Sequence, residues 1–161
     1  MSLHHYISPG GSSDQRFVLR TPTPDDLVRL QAAVGPPLVS ITVATEPGAT
    51  GMSAEEAFRL ADAVADVERQ ARRGLGVHDA VRLADRCRRL AVDVVDEAMG
   101  WGVALFVAPD SVTALRLAVA PIERSVVGAA FVVDDLERSL RDRPPAVVVR
   151  VGSVGTDVLV V

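Results

Sequence analysis

Lysine is missing from this 161-residue chain, so its 17 basic side chains are all arginines. Schiff-base chemistry, ammonium clamps on phosphate and lysine acetylation are excluded together, and any strong side-chain cation is a planar guanidinium. Cysteine is nearly missing as well. Cys87 stands alone, so neither an intrachain disulfide nor a thiolate metal cluster can form, which fits a reducing compartment. No stretch approaches the roughly 18 continuous apolar residues of a membrane helix, and the N-terminus lacks the charged-then-apolar order of a signal peptide. The expectation is a cytoplasmic protein with no membrane partner. Histidine is scarce too: His4 and His5 sit in an aperiodic N-terminal segment, and His78 marks the start of a helix. No Ser-His-Asp order, HExxH or paired-Cys motif surrounds it, so no catalytic residue, metal ligand or cofactor is assigned and the chain is not read as an enzyme.

What is present is a globular composition, 48% hydrophobic and 24% charged, long enough to bury a substantial core. The formal charge of -4 gives no global attraction to nucleic acid or anionic membrane, so polyanion binding requires a local arginine cluster. Residues 1–16 are polar and Gly/Ser-bearing and read as a disordered tail. Residues 17–144 read as an α/β domain of the α+β type, a mixed, mostly antiparallel sheet packed by two long helices. Residues 145–161 read as a strand pair that starts a second, incomplete domain. An uncovered DVLVV strand at the end would be an aggregation hazard.

Within the domain, Thr23-Pro24 with Asp25 and Asp26 opens a helix whose apolar face is Leu27, Leu30 and Val34, and Gly35-Pro36-Pro37 stops it. Residues 38–45 alternate as a strand, with Val39, Ile41 and Val43 on one face and Ser40 and Thr42 on the other. Ser53 with Glu56 is a capping-box signature, followed by the stripe Leu60, Val64, Val67 and Ala71. A second long helix over 78–99 places Leu83, Cys87, Leu90 and Val94 together, so Cys87 reads as a small core residue. Residues 103–108 and 112–120 read as a hairpin with Trp101 anchored in the core, and 129–133 as a short strand. Asp134 is expected to cap a helix to Arg141. Gly48-Ala49-Thr50-Gly51 joins a strand to a helix N-terminus, but the P-loop lysine is missing and Glu46 would repel phosphate, so it reads as a βα connection.

Cation density peaks twice. Arg69, Arg72 and Arg73 close one helix, and Arg82, Arg86 and Arg89 recur on the next at i, i+4 and i+7, which aligns them on one face. Such a face is either solvated, with Asp79 and Asp85 as ion-pair partners, or tracks phosphates. If the chain contacts RNA, these six arginines are the expected contact.

The order of PPLVSITVAT at 36–45, two long helices, GWGVALFVAPDSVTALRLAVAPIERSVVGAAF at 100–131 and PPAVVVRVGSVGTDVLVV at 144–161 carries a likeness. It resembles the N-terminal domain of the bacterial archaeo-eukaryotic release factor family, relatives of the eukaryotic class I release factor and of Pelota. The matching positions are Pro37, Val39, Ser40 and Ile41, then GVALF at 102–106, then Val126, Val127 and Gly128 as a turn leading to Phe131. Ala129 stands where the family commonly has Asp, and Glu46 where it often has a basic residue or His. Some relatives carry a Gly-Gly-Gln motif for peptidyl-tRNA hydrolysis in their second domain, whereas Gly10-Gly11 here is followed by Ser12. The resemblance implies a non-catalytic domain of a translation-associated protein, with ribosome or tRNA as partner through the full-length protein. Two other readings stay open: an oligomerisation or protein-interaction module without RNA binding, self-associating through the C-terminal strands, and a hydrolase domain.

Overall fold

A computed structural model of the chain describes residues 17–142, Pro36 by its backbone alone, together with the backbones of 147–152 and 155–160. The expected tail at 1–16, with His4 and His5, lies outside the described residues. The chain runs α1 (Pro24–Ala32), β1 (Val34–Ala44), α2 (Ala54–Gly74), α3 (Val77–Val94), β2 (Gly102–Val107), β3 (Val112–Leu117), β4 (Arg124–Ala130), α4 (Asp134–Arg141), β5 (Val147–Gly152) and β6 (Gly155–Val160).

The first four strands form one sheet in the order β3-β2-β1-β4, with every ladder antiparallel, and the parallel component is a single bridge between Arg20 and Leu115. This is the expected mixed, mostly antiparallel α/β architecture. Alternation along the strands sends Val39, Ile41, Val43, Val103, Leu105 and Val107 to one face, where α2 and α3 cover them with Leu60, Val64, Val67, Leu83, Cys87, Leu90 and Val94. Ala104, Phe106, Leu115 and Leu117 face the other way, against Leu30 of α1 and Leu136 of α4. The sheet is therefore the middle of three layers. Ser40 and Thr42 lie on this second face, buried and satisfied: Val132 N donates to Ser40 Oγ at 2.9 Å and Thr42 Oγ1 donates to Ile122 O at 2.7 Å. β5 and β6 form a two-stranded antiparallel sheet. Among the described residues no helix is long and apolar enough to cross a membrane.

The predicted starts of the first two helices hold. Thr23 and Asp26 exchange hydrogen bonds as a capping box, as do Ser53 and Glu56. Four expectations are corrected. Val34 belongs to β1, not α1, because the helix stops at Ala32 and the backbone is already extended at Ala33; Gly35, at φ 100°, sits in the irregular stretch of β1 between Val34 and Leu38. The Val126-Val127-Gly128 segment is not a turn but the middle of β4, paired with Ser40, Val39 and Leu38. Asp134 does not cap α4; Val133 occupies that position without a side-chain bond, and Asp134 is its exposed first residue. Trp101 is 49% exposed at the mouth of β2 rather than in the core.

Candidate nucleic-acid interface

The six arginines sit on the α2–α3 hairpin, whose helices turn tightly through Leu75 and Gly76, with Leu75 N donating to Ala71 O at 2.8 Å. The buried stripe of α3, Ala80, Leu83, Ala84, Cys87, Leu90, Ala91 and Val94, faces the sheet. Its arginines consequently splay to either side. Arg88 reaches toward α2 and pairs with Glu68 and with Asp85. Arg86 turns the opposite way and donates to the carbonyl of Pro109 in the β2–β3 loop. Arg82 and Arg86 line a groove of about 260 Å³ with Pro37, Leu75, Asp79, Leu83 and Pro109.

The α2 cluster behaves differently. Arg69 pairs with Asp66 at 3.2 Å and Arg72 with Glu68 at 2.5 Å, both on the preceding helical turn. Arg69 moreover lines a separate cleft of about 250 Å³ that opens toward the start of β4. The structure thus brings Arg82 and Arg86 together, puts Arg69 elsewhere, and leaves Arg73, Arg82 and Arg89 exposed, with no hydrogen bond or ion pair among the described residues. Asp85 pairs with Arg88 rather than with the expected Arg82, Arg86 or Arg89, and Asp79 is a wall of the groove.

Two other candidates resolve against binding. The 46–51 connection offers no free anion cradle, because the Glu56 carboxylate already accepts from Glu46 N at 2.6 Å and from Ser53 N at 2.7 Å. Burial works against that charge, but these donors and the Ser53 hydroxyl outweigh it and hold the carboxyl below its ordinary range. Burial pushes the Cys87 thiol up to about 12, beyond what the nearby Arg86 and Arg88 charges can reverse, so it is a packing residue as expected. His78 lies exposed in the first turn of α3.

The cleft holding Arg69 is the polar cluster that sequence reasoning missed. Arg59, Arg69 and Arg124 converge there with Asp62, Asp66, Glu123 and Ser125. Three guanidinium groups face three carboxylates, so the cleft carries no net attraction for an anion. Asp66 organises it: the Ser125 hydroxyl donates at 2.7 Å, Gln70 at 2.6 Å and Arg69 at 3.2 Å, and these, led by Ser125, lower its carboxyl below the ordinary range. The i+3 and i+4 partners on α2 were visible in the sequence. Ser125, 59 residues away, depends on the β1–β4 pairing. Among the described residues no group of three or more His, Cys, Asp or Glu side chains is placed to hold a metal ion. Compared with known proteins, the chain matches no family model and no curated sequence.

Proposed function

We propose that the chain is a non-catalytic, release-factor-like domain of a translation-associated protein, cytoplasmic, which meets ribosomal or transfer RNA through the arginine face of α3. The observation that carries this reading is that Arg82 and Arg89 stand exposed and unpaired among the described residues, with Arg86 between them. Arg86 donates to the neutral Pro109 carbonyl and makes no ion pair among the described residues, with Asp79 lining the same groove. Helical spacing puts Arg82, Arg86 and Arg89 on one side of α3, three cations to the single Asp79 of the groove, and phosphate contact on an acidic chain requires such a local excess. The element order, a strand, two long helices, a hairpin, a strand and a short helix, follows the order of the segments that carry the release-factor resemblance, except that Val126-Val127-Gly128 is strand rather than turn.

The test is salt-dependent co-sedimentation with ribosomes and binding to unrelated RNAs, for the wild type and for Arg82→Gln/Arg86→Gln/Arg89→Gln. The folded triple variant should bind more weakly to every RNA, and its log K against log salt slope should flatten by about 2 to 3 for three lost phosphate contacts. Unchanged affinity and slope reject the face. The second reading is self-association through the C-terminal strands, favoured by one observation: among the described residues β5 and β6 pair with each other and with no third strand. A lone two-stranded hairpin is marginal in water and gains by further pairing. Concentration-dependent association without ribosome binding would select this reading.

A further inference from the structure

We propose that the side-chain amide of Gln70 is a strand surrogate that seals the outer edge of β4 against strand addition. β4 ends the sheet, paired on its inner side with β1. Its outer side would present unpaired main-chain groups to any neighbouring chain. Gln70, reaching over from α2, takes two of them: its Nε2 donates to Ser125 O at 2.7 Å, and its Oε1 accepts from Val127 N at 3.0 Å. These are the bonds that one residue of a parallel neighbour strand makes around Val126, with its N–H to the carbonyl before and its C=O from the N–H after.

The opposite edge of the same sheet supplies the comparison. At β3, Arg20 N donates to Ala114 O at 3.5 Å and Arg116 N donates to Arg20 O at 2.8 Å, a parallel bridge around Leu115. There the main chain of an extended segment covers the edge. At β4 a side chain performs the same pairing in the same sense. The amide cannot flip, because its second N–H goes to Asp66 at 2.6 Å and a carboxylate only accepts, while Val127 N only donates. Ser125 Oγ fixes Asp66 in turn at 2.7 Å. Asp66 is therefore a positioning residue for the seal, and i,i+4 spacing on α2 sets the pair.

Residue-resolved amide exchange with sedimentation velocity on the full chain tests this, using Gln70→Ala and Gln70→Met, the second keeping length and helix propensity without the amide. In dilute folded variants the Val127 amide should exchange at least tenfold faster than in the wild type, with the Arg116 amide at the other edge unchanged. Both variants should then self-associate at concentrations that leave the wild type unaltered, and Val127 protection should return as they do. Unchanged Val127 exchange overturns the proposal. So does an association state like the wild type's, or association that leaves Val127 unprotected. Loss of the fold in both variants overturns it as well, since the amide would then be a prop of the domain rather than a cover for its edge.

Discussion

Gly102 is the position where one added carbon should cost most. It opens β2, buried and paired on both sides, with Ala44 of β1 and Leu117 of β3. A Cβ built there would lie 2.3 Å from Pro121 Cδ, 2.6 Å from Pro121 Cγ and 3.1 Å from Val43 O. Carbon atoms rest at about 3.5 to 4.0 Å, so Gly102→Ala requires a displacement of more than about 1 Å. The pyrrolidine ring cannot swing aside, and Val43 O is main chain inside the sheet. The strain must pass to the segment around Pro121, which is fastened next door by Thr42 Oγ1 to Ile122 O at 2.7 Å and Ile122 N to Asp135 at 3.3 Å. Overpacking costs about 1 to 3 kcal/mol and a loosened hydrogen bond about 1 more, so destabilisation of about 2 to 4 kcal/mol is expected. With a urea dependence of about 2 kcal/mol/M, the unfolding midpoint should fall by about 1 to 2 M. Gly74→Ala is the control: nothing lies within 4 Å of its Cβ and its backbone is helical, so about 0.5 to 1 kcal/mol should be gained. A Gly102→Ala midpoint indistinguishable from the wild type would refute the steric reasoning.

Two further outcomes follow from burial and charge. Cys87, fully buried with its thiol pushed up to about 12, should ignore a disulfide reagent at pH 8 in the native protein and react completely in denaturant; rapid native labelling would place it at the surface. Asp26, Glu56 and Asp66 all have lowered folded pKa values, Asp26 chiefly through its hydrogen bonds from Arg20, at 2.5 and 2.6 Å. Their stabilisation is complete above the unfolded carboxyl range near ~4 and is lost as pH falls through the folded values, so urea midpoints should hold from pH 7 to 5 and drop below pH 4, less steeply in Asp26→Asn. A flat profile to pH 2.5 would contradict it.

Local signals carried most of the fold. Capping residues act within one turn and the apolar stripes of α2 and α3 repeat at helical spacing, so both helices were legible in residues 53–94 alone. β4 was not. Its Val126-Val127-Gly128 segment holds a glycine and no clear alternation, and what makes it a strand is Leu38 to Ser40, almost 90 residues upstream. Trp101 failed for a related reason. Size argues for burial, yet its site is fixed by the strand entry between Gly100 and Gly102, whose Cβ positions are filled by Leu117 O and Arg116 on one side and Pro121 on the other. Ser40 and Thr42 were placed on the correct face, but that the face is covered follows only from α1, α4 and the segments around Ile122 and Val132 meeting there.

The arginine clusters show how far charge counting reaches. In α2 the neutralising partners are local: Asp66 stands three residues before Arg69 and Glu68 four before Arg72, a spacing readable in the sequence. Such exposed pairs are worth well under about 1 kcal/mol each, so they mute the α2 cluster without locking it. In α3 the division is tertiary. Arg88 is spent on Glu68 of the neighbouring helix, and Arg86 is anchored by a carbonyl that takes a hydrogen bond but leaves the charge in place. An anchored guanidinium loses less side-chain freedom on meeting a phosphate than a free one, so Arg86 should be the strongest single contact of the face. Arg86→Gln alone should then weaken RNA binding more than Arg82→Gln or Arg89→Gln alone, and equal losses at the three positions would show that the Pro109 anchor contributes nothing to the contact.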